Sequence, residues 1–153
     1  KGDTVNYSIG QGYLLCSPVQ IARMVSVFAN GGYLVRPYLV QKIGGISVGE
    51  TDKVDLDIPP WVLKAVREGM RKVVNDPRGT GMKARLSNVV VAGKTGTAQT
   101  SRAKDHGWFM GFAPFDAPRL SVVVLDEYGG KGGYYAAETA GEVFAEADEL
   151  GLL

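Results

Sequence analysis

The chain has 153 residues, enough for one ordinary domain with its own core. Its 45% apolar and 22% charged residues are those of a soluble globular protein. The 17 basic and 16 acidic residues leave a formal charge of +1 with no basic stripe, so electrostatics gives no reason to propose nucleic acid as a partner. Cys16 is the only cysteine, which excludes an internal disulfide and a cysteine-rich metal site.

No apolar run approaches the roughly 18 residues that a membrane span needs, and no signal peptide is visible. The first residue is Lys1 rather than Met, and the chain is expected to be a piece of something longer. In chain order, Ser17-Pro18-Val19-Gln20 is a strong helix start: a capping serine, a proline at the first helical position and a glutamine three residues on. Val19, Ala22, Val25, Phe28 and Ala29 recur at helical spacing, and Gly31 is a natural stop. Residues 33–43 read as extended, broken by Pro37, and residues 44–57 as a polar, glycine-containing connection. A second helix begins near Pro59-Pro60-Trp61, with Val62, Val66, Met70 and Val73 on one face and Lys64, Arg67, Glu68 and Arg71 largely on others. Residues 75–79 break it, and a short helical turn fits residues 82–86.

After Asn88 the pattern becomes extended. Residues 89–98, 107–113 and 120–126 are expected as three consecutive antiparallel strands, the last two joined by a turn-rich hairpin connector over residues 113–118. The glycine-rich residues 128–133 read as a flexible turn. A final helix then turns Ala137, Ala140, Val143, Phe144 and Ala147 inward. Helices, then antiparallel strands, then a helix make this an α+β fold in a single domain, with helices packed on an antiparallel sheet.

Within the first of those strands, Gly93-Lys94-Thr95-Gly96-Thr97 is not what folding alone requires, since Gly96 weakens a strand. A phosphate-binding loop would need a glycine at position 88, which is Asn, and a helix after the lysine, where extended chain follows. The alternative is an edge strand bordering a nucleophilic site. There the lysine supplies positive charge, the hydroxyls supply donors, and the bare glycine lets a peptide lie against the backbone. A lysine that only blocks edge-to-edge aggregation is the plain competing reading.

Lys94-Thr95-Gly96-Thr97 resembles the third motif of penicillin-recognising serine enzymes. Four blocks in the right order, "SIGQGYLLCSPVQIARMVSVFANGG", "VREGMRKVVNDPRGTG", "VAGKTGTAQ" and "HGWFMGFAP", are similar to the C-terminal part of the transpeptidase domain of class B penicillin-binding proteins. The "IGQGY…SPVQ" block leans toward the penicillin-binding protein 2 branch, tied to cell elongation. The resemblance implies a serine β-lactamase-like fold, of which residues 1–153 would be the C-terminal portion. It implies a peptidoglycan D,D-transpeptidase that acts on D-Ala-D-Ala stem peptides and binds β-lactam antibiotics. It gives Lys94 a role in the electrostatics around the nucleophile and gives the Thr95 and Thr97 hydroxyls the substrate carboxylate. The Thr97 N–H would be an oxyanion donor, and Gly96 would leave room for the acyl group. No metal and no cofactor is expected. The remaining part of the same domain and a cell-elongation glycosyltransferase are the implied protein partners. The implied location is the outer face of the bacterial cytoplasmic membrane, through an anchor outside this chain.

The family's S-x-N motif occurs nowhere in the chain. Its S-x-x-K motif occurs once, at Ser101-Arg102-Ala103-Lys104, after the lysine motif and in a polar stretch, where it reads as a solvated loop. The isolated chain is therefore expected to be catalytically incomplete. A non-catalytic binding or scaffold half-domain, or a fragment of a serine β-lactamase or β-lactam sensor, are the alternatives. His106 reads as a packing or hydrogen-bonding residue rather than a general base, and Cys16 as a half-buried small residue. Asp126-Glu127 reads as a strand end, and Trp61 and Trp108 as core or rim packing rather than sugar-stacking platforms.

Overall fold

The computed structural model describes residues 2–48, 52–101 and 104–153. It opens on α1 (Gly2–Ser8), a helix without a buried residue and without a sequence signal. In α2 (Pro18–Ala29) the capping box forms as expected: Gln20 N–H donates to Ser17 Oγ at 3.3 Å, and Ser17 N–H donates to Gln20 Oε1 at 2.7 Å. Val25 is buried against the sheet and Val27 on the other side of the helix. Val19, expected inward, is 58% exposed. The sheet meets α2 through its later turns, at Val25, Phe28 and Ala29, and leaves the first turn outside.

Four short strands follow: β1 (Tyr33–Val35), β2 (Lys42–Ile43), β3 (Ile46–Ser47) and β4 (Lys53–Asp55). The supposed polar connection over residues 44–57 thus holds two of them. Gly44 and Gly45, at φ +56 and +83, close a β2–β3 hairpin, and β4 pairs antiparallel with β1. Strands of two or three residues are too short to show alternation, which is why sequence reading missed them. Residues 49–51 of that stretch lie outside the described residues.

α3 (Pro60–Asn75) buries Met70 and Val74 and half-buries Val62, Val66 and Val73. Two expectations change here. Trp61, read as packing, is 73% exposed on the first turn. Arg67, placed off the apolar face, turns inward: it donates to the carbonyls of Phe28 (2.7 Å), Ala29 (3.2 Å) and Phe115, with its guanidinium over the Phe112 and Phe115 rings. The first two carbonyls end α2, so Arg67 satisfies groups that a helix C-terminus leaves unpaired and adds favourable charge there.

After a 3₁₀ turn (Met82–Ala84), β5 (Ala92–Ala98), β6 (His106–Ala113) and β7 (Leu120–Asp126) pair antiparallel in the order β5-β6-β7. The first strand was expected from residue 89. It starts later because the Val90 carbonyl takes the Phe115 N–H and the Val91 carbonyl takes Asn75 Nδ2, both at 2.8 Å. α4 (Tyr135–Glu149) lies on one face of the sheet, and α2 with part of α3 on the other. Phe109 and Ala113 of β6 point to the α4 side and Phe112 to the opposite side, so the central strand is apolar on both faces. Full burial of Phe109, Phe112 and Phe144 contributes about 1.5–3 kcal/mol apiece. The inner face of α4 is Ala136, Ala137, Ala140, Gly141, Phe144 and Ala147; Val143, expected inward, is 42% exposed. The small residues bring the helix close, and a Cβ on Gly141 would sit 2.7 Å from the Lys83 carbonyl.

Candidate active site

β5 is an edge strand: β6 pairs with one side, and no strand pairs with the other among the described residues. In an antiparallel ladder the N–H and C=O of one residue project to the same edge. The Thr95 carbonyl accepts Lys94 Nζ at 2.6 Å, the Thr97 carbonyl accepts Gln11 Nε2 at 3.0 Å, and Gln99 N–H donates to Gln11 Oε1 at 3.2 Å. The main chain of Thr95, Thr97 and Gln99 therefore faces the open edge, and the Thr97 N–H projects with it.

Side chains alternate across the strand. Lys94 and Gly96 stand opposite Met110 and Trp108, on the face of α2 and α3, while Thr95 and Thr97 lie on the α4 face with Phe109. Lys94 and Thr97 are exposed and Thr95 is half-buried. A Cβ on Gly96 would meet the Trp108 Cβ at 3.3 Å, a tight fit against a fixed stem. Behind the strand, Thr95 Oγ1 shares a 2.8 Å hydrogen bond with Thr80 Oγ1.

The glycine-rich run at 129–133, read as a flexible turn, has a packed seat across β5 and β6. A Cβ on Gly132 would overlap the carbonyl oxygens of Gly96 and Trp108, and one on Gly133 would approach the Thr80 carbonyl to 2.5 Å. Only residues without side chains can lie this close to the pleated backbone. The run is tied down by Gly130 N–H to the Asp105 carbonyl (2.9 Å) and by Tyr128 N–H to His106 Nδ1 (3.0 Å), with the two rings 4.6 Å apart. His106 is therefore a hydrogen-bonding residue at the sheet entry. Nearby, Glu138 holds Lys83 at 2.8 Å, and that hydrogen bond raises the lysine pKa above its ordinary value.

Ser101 is exposed at a bend between β5 and β6, and Lys104 is exposed as well. Arg102 and Ala103, the middle of that motif, lie outside the described residues. Neither Ser101 nor Lys104 lies on a helix, and the loop around them is tied locally by Thr100 N–H to Asp105 Oδ1 at 3.2 Å. Cys16 is half-buried, Asp126 ends β7, and Trp108 is half-buried. Among the described residues no group of three His, Cys, Asp or Glu side chains could hold a metal ion, and no helix is long and apolar enough to cross a membrane. Thr80 and Gln11 escaped sequence reading. Both lie inside blocks that carry the resemblance, but their contacts with β5, across 15 and 86 residues of chain, are set by the fold and not by local spacing.

The edge thus presents one ammonium, two hydroxyls and an outward N–H within a short stretch of extended backbone. Such a set binds the anionic and carbonyl groups of an extended ligand. A family model described as the penicillin binding protein transpeptidase domain matches residues 1–147. The chain is 36% identical to the peptidoglycan D,D-transpeptidase MrdA of Haemophilus influenzae, over 94% of this chain and 25% of that protein. Its fold matches penicillin-binding protein 2 of Pseudomonas aeruginosa, solved in complex with WCK 5153, with a TM-score of 0.82 and 37% identity over 94% of this chain and 32% of that one. It also matches penicillin-binding protein A of Mycobacterium tuberculosis, solved as an imipenem acyl-enzyme, with a TM-score of 0.77 and 29% identity over 92% and 33% of the two chains. The chain spans about a quarter of the length of the curated relatives it matches. It belongs to the penicillin-binding protein transpeptidase domain family, and its likeness runs to the penicillin-binding protein 2 branch.

Proposed function

We propose that this chain is the C-terminal portion of the transpeptidase domain of a peptidoglycan D,D-transpeptidase that works on the outer face of the cytoplasmic membrane. The reading rests most on one observation: Thr97 turns its N–H and C=O outward on the open edge of β5, beside Lys94 and the Thr95 and Thr97 hydroxyls. A stem peptide ending in D-Ala-D-Ala lies along that edge as an added strand. Its terminal carboxylate takes the hydroxyls of Thr95 and Thr97. The carbonyl oxygen of its penultimate residue accepts the Thr97 N–H and gathers negative charge there as a serine attacks. The peptide bond breaks, D-alanine leaves, and an amine from a neighbouring stem peptide displaces the serine. β-Lactams follow the same course as far as the acyl-enzyme. Lys94 supplies positive charge beside the reacting atoms, and Gly96 leaves space for the acyl group. The serine and its lysine belong to the remaining part of the domain, since the one S-x-x-K of this chain sits at an exposed bend. That remaining part packs against this chain, and a glycosyltransferase that extends the glycan strands is the partner of the assembled enzyme.

In the full-length parent, Lys94→Ala slows acylation by a fluorescent penicillin by about 100-fold or more, the scale of losing one preorganised electrostatic group. The fold survives, because an exposed edge lysine contributes little packing. Acylation of the variant at the parental rate would remove Lys94 from the site. A parent that forms no adduct at all would favour the scaffold reading.

A further inference from the structure

Gln11 does something that the proposed site does not require. It stands between Gly10 and Gly12, which both take left-handed backbone at φ +73 and +84, a conformation that side chains resist. Its own N–H is held by the Asn6 carbonyl at 2.9 Å, and Gly10 N–H by the Tyr7 carbonyl at 3.0 Å. This bent support aims one carboxamide at β5. The amide NH₂ donates to the Thr97 carbonyl and the amide oxygen accepts the Gln99 N–H, at 3.0 and 3.2 Å. A carboxamide carries both a donor and an acceptor, so one side chain satisfies two consecutive outward-facing groups of the strand.

A ligand residue whose carbonyl accepts the Thr97 N–H carries its own N–H toward the Thr97 C=O, because paired antiparallel residues exchange both bonds. Gln11 Nε2 holds that acceptor. We propose that Gln11 is a specificity-determining residue of the open edge, a resident competitor for the Thr97 carbonyl that a ligand must displace when it brings an amide N–H there. Ligands without that N–H leave Gln11 in place. The carboxamide thus sets the cost of amide recognition at this position, and it closes the edge beyond Thr97 against longer strand addition.

The proposal rests on the transpeptidase reading, and its test separates the two. Acylation rate constants of the full-length parent are measured with benzylpenicillin, which has an acylamino N–H beside the reacting carbonyl, and with imipenem, which has a hydroxyethyl group instead. Failure of both compounds to acylate the parent enzyme would refute the transpeptidase reading itself. With acylation established, Gln11→Ala raises the benzylpenicillin-to-imipenem ratio by about three- to tenfold, the scale of one hydrogen-bond competitor removed. Gln11→Glu keeps the size and the acceptor but cannot donate to the Thr97 carbonyl, so it raises the ratio too and serves if the alanine variant fails to fold. An equal fall with both compounds would show a merely structural residue. An unchanged ratio would show that the Thr97 carbonyl takes both donors on its two lone pairs, and a lowered ratio that Gln11 assists the amide. Each of these three results overturns the proposal.

Discussion

Gly93 and Gly111 face each other across β5 and β6 because the Phe109 ring lies over both. A Cβ on Gly93 would overlap Phe109 Cζ and come 2.8 Å from the Met110 carbonyl; on Gly111 it would sit 2.9 Å from Phe109 Cε1. The glycine before Lys94 is thus a packing requirement, distinct from the one after it. Gly93→Ala lowers stability by about 1–3 kcal/mol through overpacking, seen as a lower urea midpoint with an unchanged slope. A variant with the parental midpoint would mean that Phe109 can swing aside. Asp76 offers a test by pH. The Arg78 N–H, which donates to its carboxylate at 2.8 Å, holds its pKa below the ordinary 3.8. A depressed carboxylate pKa stabilises the fold above the unfolded value, and the contribution is lost as pH falls through the folded one. Asp76→Asn therefore differs from the parent near neutrality and converges with it in strong acid. The difference is small, because solvent reaches the pair: the Arg78 side chain is 93% exposed and that of Asp76 35%. Thermal melts from pH 7 down to 2 check this, and a gap that widens with acid would contradict it.

Elements that carry their own chemical marks were legible, and those defined by distant partners were not. The capping box announced α2, the double proline announced α3, and apolar runs announced β6 and β7 almost to the residue. β3 and β4 were lost because such short strands are specified by their partners β2 and β1 rather than by local pattern, and the inward turn of Arg67 because its acceptors lie 38 to 48 residues away. The same divide runs through the site. The Lys94-Thr95-Gly96-Thr97 stretch stood out in the sequence, whereas Thr80 and Gln11 meet it only in space. Ser17→Ala removes one half of a reciprocal cap at the start of α2. It lowers stability by about 1 kcal/mol in chemical denaturation, and Ser17→Asp retains most of it. An alanine variant as stable as the parent would mean that the helix start is held by packing alone.

Taken as a whole, the molecule is well packed around β6 and open elsewhere. Val5, Ile9, Tyr13, Leu15 and Val19 are all more than half exposed along the first 19 residues, on the chain that also delivers Gln11 to β5. So many large apolar side chains exposed along one stretch suit a contact surface, and in the proposed enzyme the remainder of the domain covers it. The chain alone then self-associates at micromolar concentration in sedimentation experiments, and it forms no penicilloyl adduct on a denaturing gel or by intact mass. A stoichiometric adduct lost on Ser101→Ala would make the exposed bend a nucleophile after all. A strictly monomeric chain would mean that the exposed side chains shield one another.

The outward N–H and C=O of Thr97 belong to the main chain, and this decides how such a site can escape an inhibitor. Eighteen of the possible replacements at position 97 keep the amide donor; proline alone deletes it. Selection for drug insensitivity can discard the Thr97 hydroxyl, but no substitution short of proline removes this donor. Selection must instead shift the strand or alter what competes for it, through neighbours such as Gln11, Thr80 and the glycines that seat the 129–133 run. In the proposed enzyme every such shift also moves the groups that would hold the stem peptide, so escape from an inhibitor and recognition of the peptide draw on the same backbone geometry.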